Sequence, residues 1–146
     1  MDTTTFIIVL SVCVLVTSPI LFLEIYFTRR VNRRMNELTE QMQNEPDVLY
    51  YESAMLRTRR MEAPAVIAFF DNELQIFPAI GKEIVIPMED IEILYDAPPL
   101  GSYGKHAWRG KEIVRFKNMM NNEIYGLGVK DKQQIIRFLD GKIHRK

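Results

Sequence analysis

FIIVLSVCVLVTSPILFLEIYF, residues 6–27, is the stretch from which the rest of the chain is read. It holds a single charge, Glu24, near its far end. At about 1.5 Å of rise per residue, an unbroken helix of this length matches a hydrocarbon core of roughly 30 Å. Arg29, Arg30, Arg33 and Arg34 follow at once. An apolar span and then a basic cluster predicts one transmembrane helix with its N-terminus outside and its C-terminal end in the cytosol. Tyr26 and Phe27 suit the aromatic belt, and Glu24 suits a carboxylate reaching the headgroups. Residues 1–5 contain no Lys or Arg, and the apolar run continues past Thr17-Ser18-Pro19. Both features favour a retained anchor over a cleaved signal. Pro19 is expected to kink the helix or remove one of its hydrogen bonds.

The domain plan that follows is a short tail at 1–5, a transmembrane helix at 6–27, a basic juxtamembrane helix or linker at 28–46, and a small domain at 47–146. Residues 28–44 contain no Pro or Gly, and Val31, Met35, Leu38 and Met42 recur at intervals of four, three and four. That is a narrow apolar seam at heptad-like spacing. Two heptads do not specify a coiled coil alone, so the seam has three candidate contacts: a partner helix, the headgroups, or the chain's own domain. The four arginines set topology and also attract anionic lipid.

Charge is balanced overall, with 19 basic and 19 acidic residues. The balance hides uneven halves. Residues 61–97 carry one base against eight acids, and residues 98–146 carry eleven bases against four acids. Folded together, the halves complement each other or give the domain two differently charged faces. Cys13 is the only cysteine and lies in the apolar span, so no disulfide within the chain and no thiolate zinc cluster can form.

Beyond Glu45-Pro46-Asp47 the pattern changes from helix to strand. An early strand is expected around residues 55–61. Ala65-Val66-Ile67-Ala68-Phe69-Phe70 and Glu73-Leu74-Gln75-Ile76-Phe77 form a hairpin across Asp71-Asn72. Ile84-Val85-Ile86-Pro87-Met88 is a strand whose proline marks an edge or bulge, and residues 89–95 are read as continuing extended. Residues 96–110 hold five Pro or Gly and are read as an exposed loop. Residues 111–117 and 123–129 form a second hairpin. A closing helix is predicted after Asp131, with Gln134 completing a capping-box-like pair, an apolar face of Ile135, Ile136, Leu139 and Ile143, and Gly141 where it stops. Six or so antiparallel strands and a terminal helix define an α+β, mainly β class: a curled sheet plugged by the helix, behind a membrane anchor.

This order of parts resembles the pleckstrin-homology-like superfold, especially its GRAM and bacterial PH-like branches. The likeness rests on Phe69-Phe70-Asp71-Asn72-Glu73-Leu74-Gln75-Ile76-Phe77, on Ile84-Val85-Ile86-Pro87-Met88-Glu89-Asp90-Ile91, and on Tyr125-Gly126-Leu127-Gly128-Val129 leading into the closing helix. It implies a scaffold that binds a ligand or partner without catalysis, and a bacterial inner membrane as the location. Phosphoinositide-binding members of the superfold place basic residues at the end of the first strand and in the following loop. Arg57-Thr58-Arg59-Arg60 lies near that place, but Met61-Glu62-Ala63-Pro64 adds no further base. Arg57 and Arg59 also read as alternate side chains on one solvated strand face.

Residues that carry chemistry are sparse. His106 and His144 lack metal-ligand spacing, no Walker loop is present, and no Ser or Cys is paired with a base in a known motif. The sequence therefore supports neither an enzyme nor a cofactor. Residues 103–111, YGKHAWRGK, combine the only tryptophan with basic residues, which suits a membrane interface or a protein contact. Neutral charge and the tether argue against nucleic acid. The expected partners are the membrane itself, another membrane protein or complex through Val31, Met35, Leu38 and Met42, and anionic lipid through Arg29, Arg30, Arg33, Arg34, Lys105, Trp108 and Arg109.

Overall fold

The computed structural model describes residues 2–95 and 110–141. In chain order the elements are α1 (Thr3–Asn44), β1 (Tyr50–Arg57), β2 (Glu62–Phe69), β3 (Glu73–Pro78), β4 (Ile84–Pro87), a 3-10 turn (Met88–Asp90), β5 (Ile91–Ile93), β6 (Glu112–Asn118), β7 (Glu123–Val129) and α2 (Lys132–Leu139). The chain divides into two compact units, Met1–Arg33 and Arg34–Lys146.

The first unit is helix. Within α1 an 18-residue window reaches a mean hydropathy of 2.8, with none of it buried, and the helix is long and apolar enough to cross a membrane. Two of its hydroxyls bond back within the helix. Ser11 Oγ donates to the Ile7 carbonyl at 2.8 Å, and Thr17 Oγ1 donates to the Cys13 carbonyl at 2.7 Å. Pro19 sits inside the helix without ending it.

The second unit is an antiparallel seven-stranded sheet in the order β4-β3-β2-β1-β7-β6-β5. Two meanders, β1–β4 and β5–β7, meet where β1 pairs with β7, Leu56 opposite Leu127. Curled into a nearly closed barrel, the sheet encloses one core. Alternation decides which side chains enter it. Leu56, Ile67, Phe69, Leu74, Ile76, Ile86, Phe116 and Leu127 are fully buried in that cluster. Helix α2 fills the barrel with Ile135, Phe138 and Leu139. Its N-terminus is closed by Asp131, whose Oδ1 accepts from the Gln134 amide at 3.1 Å, and by Glu112 Oε2, which accepts from the Lys132 amide at 2.8 Å. A curled antiparallel barrel with a C-terminal helix is compatible with a PH-like fold.

Three boundaries differ from the sequence reading. The first strand is Tyr50–Arg57 rather than 55–61, because residues 58–61 are needed to reverse the chain into β2. Arg59 therefore stands in a turn, not on a strand face with Arg57. Residues 88–90 are a 3-10 turn rather than extended chain. This turn carries the chain from β4 at one edge of the sheet to β5 at the other. The domain also starts earlier than residue 47. Leu38 and Met42, 1% and 3% exposed, pack on Val66 and Ala68 of the outer face of β2, with Met35, Tyr51, Phe70 and Phe77 around them. Two side chains one helical turn apart thus bury an apolar patch that the sheet alone would leave to water.

One polar group in the barrel is poorly matched. Glu52 is 8% exposed, and its Oε2 accepts from the Tyr50 hydroxyl at 3.0 Å. Oε1 is buried without a hydrogen-bond partner among the described residues. A buried acceptor left unpaired lowers stability. Glu52→Leu together with Tyr50→Phe removes the orphaned acceptor along with its hydroxyl partner, and it is expected to leave stability unchanged or raise it by about 1 kcal/mol. Urea unfolding of the two proteins at neutral pH checks this, and a lower midpoint for the variant contradicts it.

Candidate functional site

Among the described residues a polar cleft lies at one end of the barrel, where the β1–β2 and β6–β7 turns meet. It has a volume of about 510 Å³ and is lined by Arg59, Arg60, Asn121, Asn122, Glu123 and Ile124. Register explains the meeting. Arg57, the last residue of β1, pairs with both Glu62 of β2 and Gly126 of β7, so the two turns emerge side by side.

Each turn is held by its own side chains. Thr58 Oγ1 accepts from the amides of Arg60 and Met61 at 3.2 and 3.1 Å, and the Thr58 amide donates to the Met61 carbonyl at 2.8 Å. A turn closed from inside in this way leaves Arg59 and Arg60 exposed at its crest. Beside it, Arg57 is engaged with Glu62 at 3.2 Å. In the β6–β7 turn, Asn118 Oδ1 accepts from the Met120 amide at 3.0 Å, and Asn121 Oδ1 accepts from the Glu123 amide at 2.9 Å. Asn122 takes the left-handed conformation at φ 58°. A short polar side chain tolerates that region better than most residues.

Below the cleft the Tyr125 hydroxyl donates to Glu123 Oε2 at 2.9 Å. Burial first, and then the Glu123 carboxylate, push the Tyr125 phenol up from 10.0 to about 12. Burial and then Glu52 raise Tyr50 likewise to about 12. Between these values the unfolded chain loses the two protons and the folded chain keeps them, so stability falls as pH rises. The contribution is fully present below pH 10 and is lost on approach to pH 12. Replacing both by Phe is expected to flatten this limb in denaturant titrations from pH 9 to 12.

The residues singled out from sequence fall in different places. Arg29, Arg30 and Arg33 are exposed on the helix of the first unit. Arg34 opens the second unit and faces Glu37 at 3.9 Å, an exposed pair of small energetic weight. Val31 and Met35 are half-buried, whereas Leu38 and Met42 are consumed inside the chain. The seam as a partner-helix contact is corrected at those two positions, because a side chain sealed against β2 offers no surface to a second helix. Lys105, Trp108 and Arg109, like His106 and His144, lie outside the described residues. No group of three or more His, Cys, Asp or Glu able to hold a metal is found among the described residues.

The chain matches no protein-family model, and no curated protein matches it. Arg59 and Arg60 were visible in the sequence as bases after a first strand. Their union with Asn121 and Asn122 was not, since it depends on β1 pairing with β7 across some 70 residues.

Proposed function

We propose that this is a single-pass membrane protein, N-terminus outside, that presents a small non-catalytic PH-like domain to the cytosol as an interaction or scaffolding module, an accessory subunit of a membrane protein complex. The observation that carries the reading is the apolar part of α1, long enough to span and unburied by its own chain. The arginines at its C-terminal end supply the orientation. A bacterial inner membrane follows from the fold resemblance alone. With Leu38 and Met42 occupied, the partner contact falls to the apolar helix of residues 6–27, where helix packing in lipid uses close side-chain fit.

Mild solubilisation and affinity purification through a C-terminal tag test the reading. A fixed set of membrane proteins is expected with the native chain, and it should be lost when residues 6–27 are replaced by an unrelated apolar helix. Recovery of the chain alone, or retention of the set after the swap, refutes the subunit assignment.

A second reading is favoured by the cleft. Two exposed guanidinium groups beside two amides suit an anionic headgroup, and Arg29, Arg30, Arg33, Arg34, Lys105, Trp108 and Arg109 are separate candidates for such a contact. A lipid reader should survive the helix swap and fail on charge reversal of the arginines.

A further inference from the structure

Pro19 opens a gap in the hydrogen bonding of α1. It carries no N–H, so the Leu15 carbonyl, four residues earlier, has no amide to accept from. Leu15 and Ser18 straddle the midpoint of residues 6–27, as far from either water phase as that apolar run allows. An acceptor left open at that depth is costly, and hydroxyl side chains or neighbouring helices are what fill it. Ser11 and Thr17 commit their hydroxyls one turn back, to the Ile7 and Cys13 carbonyls. Ser18 makes no such bond among the described residues. Its hydroxyl is an uncommitted donor beside an uncommitted acceptor.

Helix geometry puts the two groups at one level. A helical carbonyl points toward the C-terminus, whereas a side chain tilts toward the N-terminus. The Leu15 oxygen and the Ser18 hydroxyl therefore lie at about the same depth on one face. That face is also shaped. Leu15 and Phe22 are 73% and 75% exposed, the most of the large apolar side chains described in α1. Between them is a hollow of about 600 Å³ lined by Val14, Leu15, Ser18, Pro19, Phe22 and Leu23. A second hollow, of about 300 Å³, lies at Ser11. Hollows at 11 and 18 thus alternate with projections at 15 and 22, at the four-three-four spacing by which two helices interlock.

We infer that two copies of the chain pair in parallel through this face, the Ser18 hydroxyl of each donating to the Leu15 carbonyl of the other. This rests on the membrane reading of α1. The arginines after residue 27 insert every copy with the same orientation. A two-fold axis along the membrane normal then brings donor and acceptor together at equal depth, twice. An unrelated helix would have to supply both groups at that depth, whereas a second copy does so by symmetry. Partial charges of opposite sign make the face complementary to itself, and the opposite side of the helix stays open to the complex.

The test uses the full chain in phosphatidylcholine vesicles, with donor or acceptor dyes attached through a C-terminal tag. Flotation reports insertion, and energy transfer is read as the protein is diluted in lipid. The native chain is expected to follow a monomer–dimer equilibrium. Ser18→Ala removes the donor and Pro19→Ala supplies the missing amide, and each is expected to weaken pairing by about tenfold. Ser11→Ala, on the same face but with a hydroxyl already committed to Ile7, is expected to change it by about twofold or less. Oxidation should cross-link Leu15→Cys in a Cys13→Ala background but not the native chain, because Cys13 lies on the far side of the helix. An inserted chain without concentration-dependent transfer overturns the proposal and leaves the membrane reading standing. Either Ser18→Ala or Pro19→Ala pairing as tightly as the native chain overturns it too, as does cross-linking through Cys13. A chain that fails to float with the vesicles overturns the membrane reading itself, and this proposal with it.

Discussion

A chain that begins at Asp47 is expected to unfold at markedly lower urea concentration than one that begins at Arg34. The shorter chain matches the domain as strand patterning delimits it, yet it lacks Leu38 and Met42. Their removal exposes Val66 and Ala68, which are fully buried in the complete chain, and strips cover from Tyr51 and Phe77. Truncating one buried Leu or Met to Ala typically costs 2–5 kcal/mol, so loss of both together with their helix should remove about 4 kcal/mol or more. For a domain of this size that is a large share of the total. Leu38→Ala in the complete chain, expected to cost about 3 kcal/mol, separates packing from chain length. Equal midpoints for the two truncations would show that residues 34–44 contribute nothing to the fold.

The second large effect concerns the plug. Phe138 lies 4.9 Å from Phe69 and 5.2 Å from Tyr50 between ring centroids, both nearly stacked, and it is 6% exposed. Because α2 has only eight residues, it does not hold its shape through helix propensity. Its stability comes from Ile135, Phe138 and Leu139 inside the barrel. Phe138→Ala is expected to cost about 3–5 kcal/mol and to unlock the helix before the sheet. Hydrogen exchange read residue by residue should show the α2 amides losing protection at the lowest denaturant. Protection lost evenly across sheet and helix would mean that the aromatic stack stabilises the barrel as a whole.

Cores of this kind explain why much of the fold was legible early. The Ala65–Phe70 and Glu73–Phe77 runs alternate or are continuously apolar, and strand alternation maps directly onto inside and outside. Asp131 and Gln134 announced the start of α2 because capping is a local hydrogen bond, and the bond is present at 3.1 Å. Glu89 and Asp90 misled for the same local reason. The alternation of Ile91 and Ile93 with Glu92 and Leu94 reads as a strand from residue 89 on, whereas the need to carry the chain between sheet edges imposes a 3-10 turn at 88–90. The apolar helix was equally plain, since twenty-two residues with one charge leave few alternatives.

What the sequence determined by itself is therefore what depends on near neighbours: the long apolar helix, the hairpins, the caps and the change of period after Pro46. The tertiary structure alone decided which of these elements share a surface. It turned half of the Val31, Met35, Leu38 and Met42 seam inward onto β2, where a one-dimensional pattern shows only that some apolar face is needed. It also joined Arg59 and Arg60 to Asn121 and Asn122 through the β1–β7 pairing. Periodicity specifies that a face must be covered, but the cover is chosen by contacts between residues far apart in the chain.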